Sequence, residues 1–226
     1  KEDRVFNSIG GSDLNVGSTK VVTLNLVRHA LLADKKNKNK LESFYNEVKE
    51  SVELVHKYHF AHRKTLQKLI DKGMLPLYKS GMMDLSDQFA TVGINGVFEA
   101  IKILGGIEKT KKGYRYTKKG FEIVEKMFNL INKLNDKTTK QFGYSSNIEQ
   151  IPAESTAIKL NKKDRIYFGN RYINKKLGDN CYIYGNQWIP LKEEASIFDR
   201  IEAGKLDNLC GGGAILHLNL GENFNT

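Results

Sequence analysis

A short run near the middle of the chain has the residue types that bind phosphate. Pro152 is followed by Ala153, Glu154, Ser155 and Thr156. Proline favours the start of a helix, and the first turn of a helix leaves its backbone N–H groups without partners inside the helix. These donors and the helix dipole together attract an anion. The run therefore predicts either a phosphate-binding helix start or an ordinary capped helix, and local chemistry alone does not separate the two.

Three histidines are spaced as if they could share a metal ion. His56, His59 and His62 recur every three residues. On a helix they point at about 0°, 300° and 240° around the axis. Two successive histidines could therefore share a metal ion, but all three point too far apart to do so. The HExxH pattern of zinc proteases is absent. The spacing favours packing and surface histidines over a metal site.

Two glycines outline a turn between a strand and a helix. Gly93 and Gly96 follow an apolar run and precede a helical one. The G-x-G-x-x-G pattern of dinucleotide sites and the Lys-Ser/Thr of a Walker motif are both missing. A tight packing turn is the favoured interpretation over a phosphate turn.

The two cysteines, Cys181 and Cys210, lie far apart. They form neither a disulfide scaffold nor a CxxC pair for zinc, and no histidine partner suggests an activated thiol. The expected setting is reducing and cytoplasmic. A buried, small apolar role is predicted for Cys210.

The composition is that of a globular chain with a positive charge. The 226 residues include 36 Lys and Arg against 26 Asp and Glu, a net charge of +10, and the mean hydropathy is −0.47. This charge suits anionic partners, although most of the lysines are expected on a solvated face. No apolar run reaches the roughly 20 residues of a membrane span, so no membrane partner is expected. Both ends are interpreted as cuts inside a longer protein.

A framework of helices and strands must position these residues. Apolar spacings of three and four predict long helices over 41–72 and 121–134, with shorter ones at 28–34 (as a turn or short helix), 97–104, 152–160 and 197–205. Short β-branched runs predict strands at 21–27, 89–96, 142–148 and 214–220. The remainder is expected to be extended (75–78), irregular (82–89), a polar loop (108–119) or β-prone loops (165–174 and 182–189). The alternation predicts a single α/β unit over residues 1–226, with a partly parallel sheet or part of an α/β barrel.

Five segments, in this order, resemble the anaerobic (class III) ribonucleoside-triphosphate reductases. The family's patterns are N-L-G followed by V-V-T-x-N-L-P-R, then T-x-G-I-x-G-x-x-E-A, P-A-E-S/T, N-Q-F/W-x-P-L and G-G-x-x-x-H-x-x-L-G-E. The matching stretches of this chain are 15–28, 89–100, 151–156, 185–191 and 209–222. Val27 stands where the family has a proline.

The resemblance implies a fold and a chemistry. The fold would be part of a ten-stranded α/β barrel of the glycyl-radical/ribonucleotide reductase type. The parent enzyme would reduce ribonucleoside triphosphates at the 2′ carbon, with a glycyl radical that generates a thiyl radical, formate as reductant and a structural zinc. Its implied partners are the ribonucleoside triphosphate substrate, a radical-SAM activating enzyme and a second copy in a homodimer.

The resemblance also assigns roles to residues. It implies that Ala153, Glu154, Ser155 and Thr156 cradle the substrate phosphates. Asn15 occupies the position of an asparagine that hydrogen-bonds the substrate near the radical cysteine, and is the predicted catalytic residue. Asn25, on the following strand, is either a second candidate or a structural amide.

The chain also departs from the family's complete pattern. No cysteine precedes Cys181, so the thiyl cysteine would lie before this segment. The zinc site and the glycyl-radical loop would follow residue 226, and the N-terminal ATP-cone is absent. No metal or other cofactor is therefore predicted within the segment, and the isolated segment is expected to be inactive.

Two other classes of function stay open. A basic nucleic-acid-binding module is suggested by the net charge and by the lysine-rich stretches 35–40 and 109–119, in which Tyr114 and Tyr116 are the only aromatic residues. A different glycyl-radical enzyme, such as a formate-lyase relative, could share the barrel. The Pro-Ala-Glu-Ser run speaks against it, because those substrates carry no triphosphate.

Overall fold

The computed structural model describes residues 17–36, 39–214 and 216, apart from the side chain of Glu154. Within these residues five strands and eight α-helices follow one another along the chain. The strands are β1 (Ser18–Asn25), β2 (Phe89–Asn95), β3 (Ile107–Thr110), β4 (Gly113–Tyr116) and β5 (Ser146–Gln150). The helices are α1 (Leu26–Lys36), α2 (Lys40–Asp71), α3 (Pro76–Lys79), α4 (Val97–Ile103), α5 (Lys118–Phe142), α6 (Glu154–Phe168), α7 (Asn170–Leu177) and α8 (Ile197–Gly204). Short 3₁₀ turns lie at Leu85–Asp87 and Lys205–Leu209.

Three strands form a parallel sheet in the order β1–β2–β5. Val22 of β1 pairs with Val92 of β2, which pairs with Ile148 of β5. The central strand is buried from its second residue to its last, as expected where helices and loops cover both faces of a parallel sheet. The prediction of a partly parallel sheet is confirmed. The strands β3 and β4 form a separate antiparallel hairpin.

The core lies between this sheet and the helices α1, α2, α4 and α5. Each large apolar side chain buried there stabilises the fold by roughly 1.5–3 kcal/mol. The most completely buried members include Leu31, Phe44, Ile94, Phe98, Ile101, Phe128, Ile131, Ile148 and Trp188. The two long helices follow the predicted periodicity, and Asn39 and Thr117 cap their first turns.

The turn at Gly96 explains the glycine pair that the sequence singled out. Gly96 has a φ of +76°, and a Cβ atom there would lie 2.5 Å from Val27 Cγ2. Its N–H donates to the carbonyl of Gly185 at 2.9 Å, so this amide is already paired. Gly96 therefore serves close packing, as the sequence favoured, and its N–H is not available to a phosphate group.

Several predicted elements were wrong. The stretch 165–174, expected to be β-prone loop, continues α6 to Phe168 and then forms α7, because Phe168 and Ile173 are buried by tertiary packing. The extended segment 75–78 is largely the helix α3, which Pro76 begins. The polar loop 108–119 contains the β3–β4 hairpin.

Element boundaries also moved. The first strand ends at Asn25, whose side-chain carbonyl accepts from the N–H of Arg28 at 3.1 Å and so caps α1. The predicted strand 142–148 begins only at Ser146, since α5 continues to Phe142. The described residues of 182–189 form no strand. Most of the predicted strand 214–220 lies outside the described residues.

Candidate functional site

The carboxyl ends of the three parallel strands place polar side chains along one edge of the sheet. Asn25 ends β1, Asn95 ends β2 and Gln150 ends β5. Asn25 pairs in register with Asn95, and Gln150 pairs with Ile94 one residue earlier. Ligands of open parallel sheets bind at this edge, because the loops that follow the strands converge there.

The predicted phosphate-binding turn begins α6 at the same edge. Ala153 is the N-cap residue, and no described side chain accepts a hydrogen bond from this helix start. The first bond of the helix runs from the N–H of Ala157 to the carbonyl of Ala153 at 2.8 Å. Ser155 is exposed and Thr156 half-buried, so the turn faces solvent. Pro152 lies just before the N-cap, two residues before the first helical position, where a helix-starting proline is expected.

Two other predicted residues have different outcomes. Asn15 lies outside the described residues. Asn25 is a structural amide, because it caps α1 and donates to Asp164 Oδ2 at 2.8 Å. Of the two roles left open for Asn25, the structural one matches the contacts.

Asp164 is the centre of a buried polar cluster that the sequence did not reveal. Its side chain is fully buried and pairs with Arg28 Nε at 2.6 Å. The hydroxyl of Tyr184 donates to it at 2.9 Å, alongside the amide of Asn25. The cluster therefore joins β1, α1, α6 and the loop 178–196. Asn25 and Asp164 are 139 residues apart in the sequence, so no local sequence pattern could have predicted their hydrogen bond.

The loop 178–196 is fixed above the ends of the strands through one peptide group. The carbonyl of Gly185 accepts from the N–H of Gly96, and its N–H donates to Glu99 Oε1, both at 2.9 Å. Glu99 is almost fully buried, and burial raises the pKa of its carboxyl. Glu99 thus holds the loop in place from beneath the sheet edge.

A guanidinium and a hairpin support the same loop from its other side. Arg200 donates to the carbonyls of Ile189 at 2.8 Å and Glu193 at 2.5 Å. The N–H of Tyr114 donates to the carbonyl of Glu194 at 2.7 Å. Gly113 lies so close that a Cβ there would be 2.1 Å from the Glu194 oxygen.

A pocket of about 290 Å³ opens between this loop and the end of β5, beside Pro152. Its lining comes from Gln150, Pro152, Ile183, Tyr184, Gly185, Asn186, Gln187, Pro190, Leu191 and Lys192. The side-chain oxygens of Gln150 and Asn95 are buried and have no hydrogen-bond partner among the described residues. The predicted turn and a pocket lined by a residue with an unpaired amide oxygen therefore share one edge of the sheet.

The cysteines do not contribute to this edge as ionised thiols. Both are free and buried. Burial raises the pKa of Cys181 to about 11 and that of Cys210 further still. The prediction of a buried role for Cys210 is confirmed.

The histidines lie at the opposite end of the sheet. His56 and His59 are buried on α2, and their ring nitrogens have no hydrogen-bond partner in the described part of the chain. Within residues 17–36, 39–214 and 216, no group of three metal-binding side chains converges. The same residues contain no helix that is both apolar and long enough to cross a membrane.

The two tyrosines that could support nucleic-acid stacking are engaged within the molecule. Lys102 and Lys109 lie over the ring of Tyr114, which also contacts Phe98 edge-on. Tyr116 is buried, and its hydroxyl donates to the carbonyl of Trp188 at 2.9 Å. Neither ring face is free to stack on a base.

Comparison with known proteins supplies the context for this edge. Residues 3–226 match the family described as "Anaerobic ribonucleoside-triphosphate reductase". No curated protein matches. A solved anaerobic ribonucleotide reductase is 40% identical, with a TM-score of 0.86, over 97% of this chain and 33% of its own.

Two structures of the anaerobic ribonucleotide reductase from Thermotoga maritima are similarly close. The one with glycerol in the active site is 40% identical over 98% of this chain and 35% of its own, with a TM-score of 0.86. The one in complex with dATP and CTP is 40% identical over 95% and 34%, with a TM-score of 0.84. This chain thus spans about a third of the length of each relative. The family match over nearly all residues and the shared α/β fold show that the chain belongs to the anaerobic ribonucleoside-triphosphate reductase family.

Proposed function

We propose that this chain forms the substrate-phosphate site of an anaerobic ribonucleotide reductase that converts ribonucleoside triphosphates to deoxyribonucleoside triphosphates. The observation that carries the proposal is the start of α6. Its first turn is exposed, lacks a side-chain cap and lies at the carboxyl edge of a parallel sheet. The N–H groups of Glu154, Ser155 and Thr156 would donate to the triphosphate.

The comparisons agree with a nucleotide ligand for this family. One Thermotoga maritima relative is described in complex with dATP and CTP, and another with dATP bound in a specificity site. A third has citrate, a small polyanion, in its active site. A helix start with free N–H donors suits each of these anions in the same way.

Residues 1–226 would supply one α/β unit of the ten-stranded barrel. The support is the parallel order β1–β2–β5 together with the outer edge of β5, which is itself hydrogen-bonded. The N–H of Gly212 donates to the carbonyl of Ile148 at 2.8 Å, and the N–H of Gln150 donates to the carbonyl of Gly213 at 3.2 Å. The outer edge of β5 is therefore partly paired with residues 212–213, and this supports a place within a larger barrel.

The chemical step is proposed from the family alone. A glycyl radical, formate and a radical-SAM activating enzyme would support reduction at the 2′ carbon, with a structural zinc elsewhere in a homodimeric parent. Asn15 is proposed to hydrogen-bond the substrate beside the radical cysteine. The described residues would bind the triphosphate, while the Asp164 cluster keeps α6 in position.

The turn is tested by removing one N–H donor without unwinding the helix. Proline is tolerated in a first helical turn, so Ser155→Pro deletes a donor and keeps the fold. A hydrogen bond to a charged group is worth about 1.5–3 kcal/mol, which corresponds to a loss of roughly 10- to 100-fold in affinity. We expect this loss of affinity for tripolyphosphate and for nucleoside triphosphates. Isothermal titration calorimetry on the full-length protein measures it.

Two variants provide the controls. Ser155→Ala keeps the N–H and should lose only a few-fold. Arg171→Pro makes the same change at the second residue of α7, another helix without a side-chain cap, and should leave affinity unchanged. Equal tripolyphosphate affinity in the wild type and in Ser155→Pro would refute the proposed site.

A further inference from the structure

The pocket beside the phosphate-binding turn has a chemistry that differs from that of the turn. Gln150 lines it from the end of β5, only two residues before Pro152, which also lines it. Gln150 is 7% exposed, and its Oε1 has no hydrogen-bond partner among the described residues. A buried acceptor without a partner costs about 1–3 kcal/mol, so natural folds keep such a group where something else satisfies it.

The unpaired atoms indicate which part of a ligand would enter. Asn95 Oδ1, at the end of the neighbouring strand, is a second buried acceptor without a described partner, although Asn95 does not line the pocket itself. A phosphate group is itself an acceptor and cannot satisfy either oxygen. An N–H or amino group can, and the amide of Gln150 can donate in return through Nε2.

The remaining walls suit a flat apolar ring. Ile183, Pro190 and Leu191 provide apolar contact, and the volume of about 290 Å³ is near the lower limit of small-molecule sites. The Gly185 peptide is held by Gly96 and Glu99, so the wall is formed before a ligand binds. A preformed wall reduces the entropy lost on binding.

Resting on the proposed phosphate site, we propose that this pocket binds the nucleobase of the substrate and that the amide of Gln150 reads the hydrogen-bonding edge of the base. The phosphate tail would reach the start of α6 while the base contacts Gln150. Gln150 is thus a specificity-determining residue, whereas the neighbouring Ser155 N–H binds the phosphates of any nucleotide, whatever its base.

The test separates base recognition from phosphate binding. Gln150→Met keeps the length of the side chain and removes both hydrogen-bonding atoms. Affinities for ATP, CTP, GTP, UTP and inorganic tripolyphosphate are measured by calorimetry on the polypeptide as its gene encodes it. We expect a loss of about tenfold for at least one nucleotide, a changed ranking of the four, and tripolyphosphate affinity within twofold of the wild type.

Two further variants keep the test decisive. Gln67→Met makes the same substitution on an exposed part of α2 and should change none of the five affinities. Leu191→Trp fills the pocket from a residue that is 42% exposed, and should weaken all four nucleotides but not tripolyphosphate. This second pocket variant stands in if Gln150→Met does not fold.

The outcomes are distinguishable. Five unchanged affinities in both pocket variants would overturn base recognition. An equal loss for tripolyphosphate and the nucleotides would also overturn it, because the phosphates would then occupy the pocket, where Lys192 provides a cation. The phosphate site itself is tested separately, by the tripolyphosphate affinity of Ser155→Pro.

Discussion

The two ends of the parallel sheet treat buried polar groups differently. At the carboxyl end, Asp164 has three hydrogen-bonding or ionic partners, and the unpaired amide of Gln150 lines a pocket. At the amino end, His56 and His59 are enclosed on α2, and Asn135 of α5 lies beside His56. None of these three side chains makes a hydrogen bond of good geometry within the described residues. Buried polar groups are thus paired around Asp164 at one end, whereas at the other end His56, His59 and Asn135 are enclosed without hydrogen bonds of good geometry in the described part of the chain.

The largest expected effect on stability comes from removing Asp164, the centre of the polar cluster at the carboxyl end. Asp164→Ala leaves Arg28 without its buried partner and frees Asn25 and Tyr184. Because the side chain of Arg28 is 36% exposed, most of the loss comes from leaving the Tyr184 hydroxyl and the Asn25 amide without an acceptor, about 1–3 kcal/mol each. We expect that loss in the free energy of unfolding, measured by urea denaturation.

The control uses an exposed ion pair. Glu108 and Arg115 are about half exposed on the β3–β4 hairpin, where such pairs contribute roughly 0–1 kcal/mol. Glu108→Ala should therefore change stability by less than about 1 kcal/mol. Equal losses for the two substitutions would show that the Asp164 cluster does not organise its end of the sheet.

The second test uses pH at the amino end. Burial, with smaller contributions from the charges of His56, His62 and Arg63, lowers the pKa of His59 from 6.5 to about 4. As the pH falls, His59 of the unfolded chain takes up a proton near pH 6.5, whereas His59 of the folded chain does so only near pH 4. The free energy of unfolding is therefore highest above pH 6.5 and decreases as the pH falls to about 4. The shift corresponds to a loss on the order of 3 kcal/mol.

His59→Leu isolates this contribution. His29 has a similarly lowered pKa, about 4, so the wild type and the variant are compared over the same pH range. The stability of His59→Leu should fall less steeply between pH 6.5 and 4. Parallel pH profiles for the two proteins would contradict the assignment to His59.

The smallest expected effect comes from an amide with no partner. Asn135→Leu removes two buried polar atoms that make no described hydrogen bond, so we expect a change within about 1 kcal/mol or a slight gain in stability. Asn161→Leu is the matched change in a paired amide, which donates to the carbonyl of Cys181 at 3.1 Å and accepts from Arg165 at 2.8 Å. It should cost more, roughly 1–3 kcal/mol. Comparable losses from both would erase the contrast between the two ends.

The sequence predicted those parts of the fold that depend on local pattern. The apolar stripes of α2 and α5 and the glycine turn at Gly96 follow from spacing and chain geometry, and the structure has them where expected. The start of α6 was predictable for the same reason. Helix α6 beyond Leu160 was not, because its aromatic residues favour strands, and of these only Phe168 is held by tertiary packing.

The pocket could not be predicted, because its parts meet only in the folded chain. Gln150 ends a strand, whereas Pro190 and Leu191 belong to a loop some 40 residues later. The partners of Asp164 are equally distant in sequence, and their residue types are common elsewhere in the chain. The resemblance to a family predicted a phosphate-binding role for the start of α6 and included Glu99 in a matched segment, but it assigned no role to Glu99, Asp164 or Gln150.

The support of the loop 178–196 by Arg200 and Gly113 has a consequence for inherited variation. Neither residue lines the pocket, yet each sets where Ile189 to Glu194 run. A side chain added at Gly113 would push the Glu194 backbone away, and the displacement would be passed on to Pro190 and Leu191. If the pocket binds the base as proposed, a substitution on the β3–β4 hairpin should change nucleotide preference from outside the pocket.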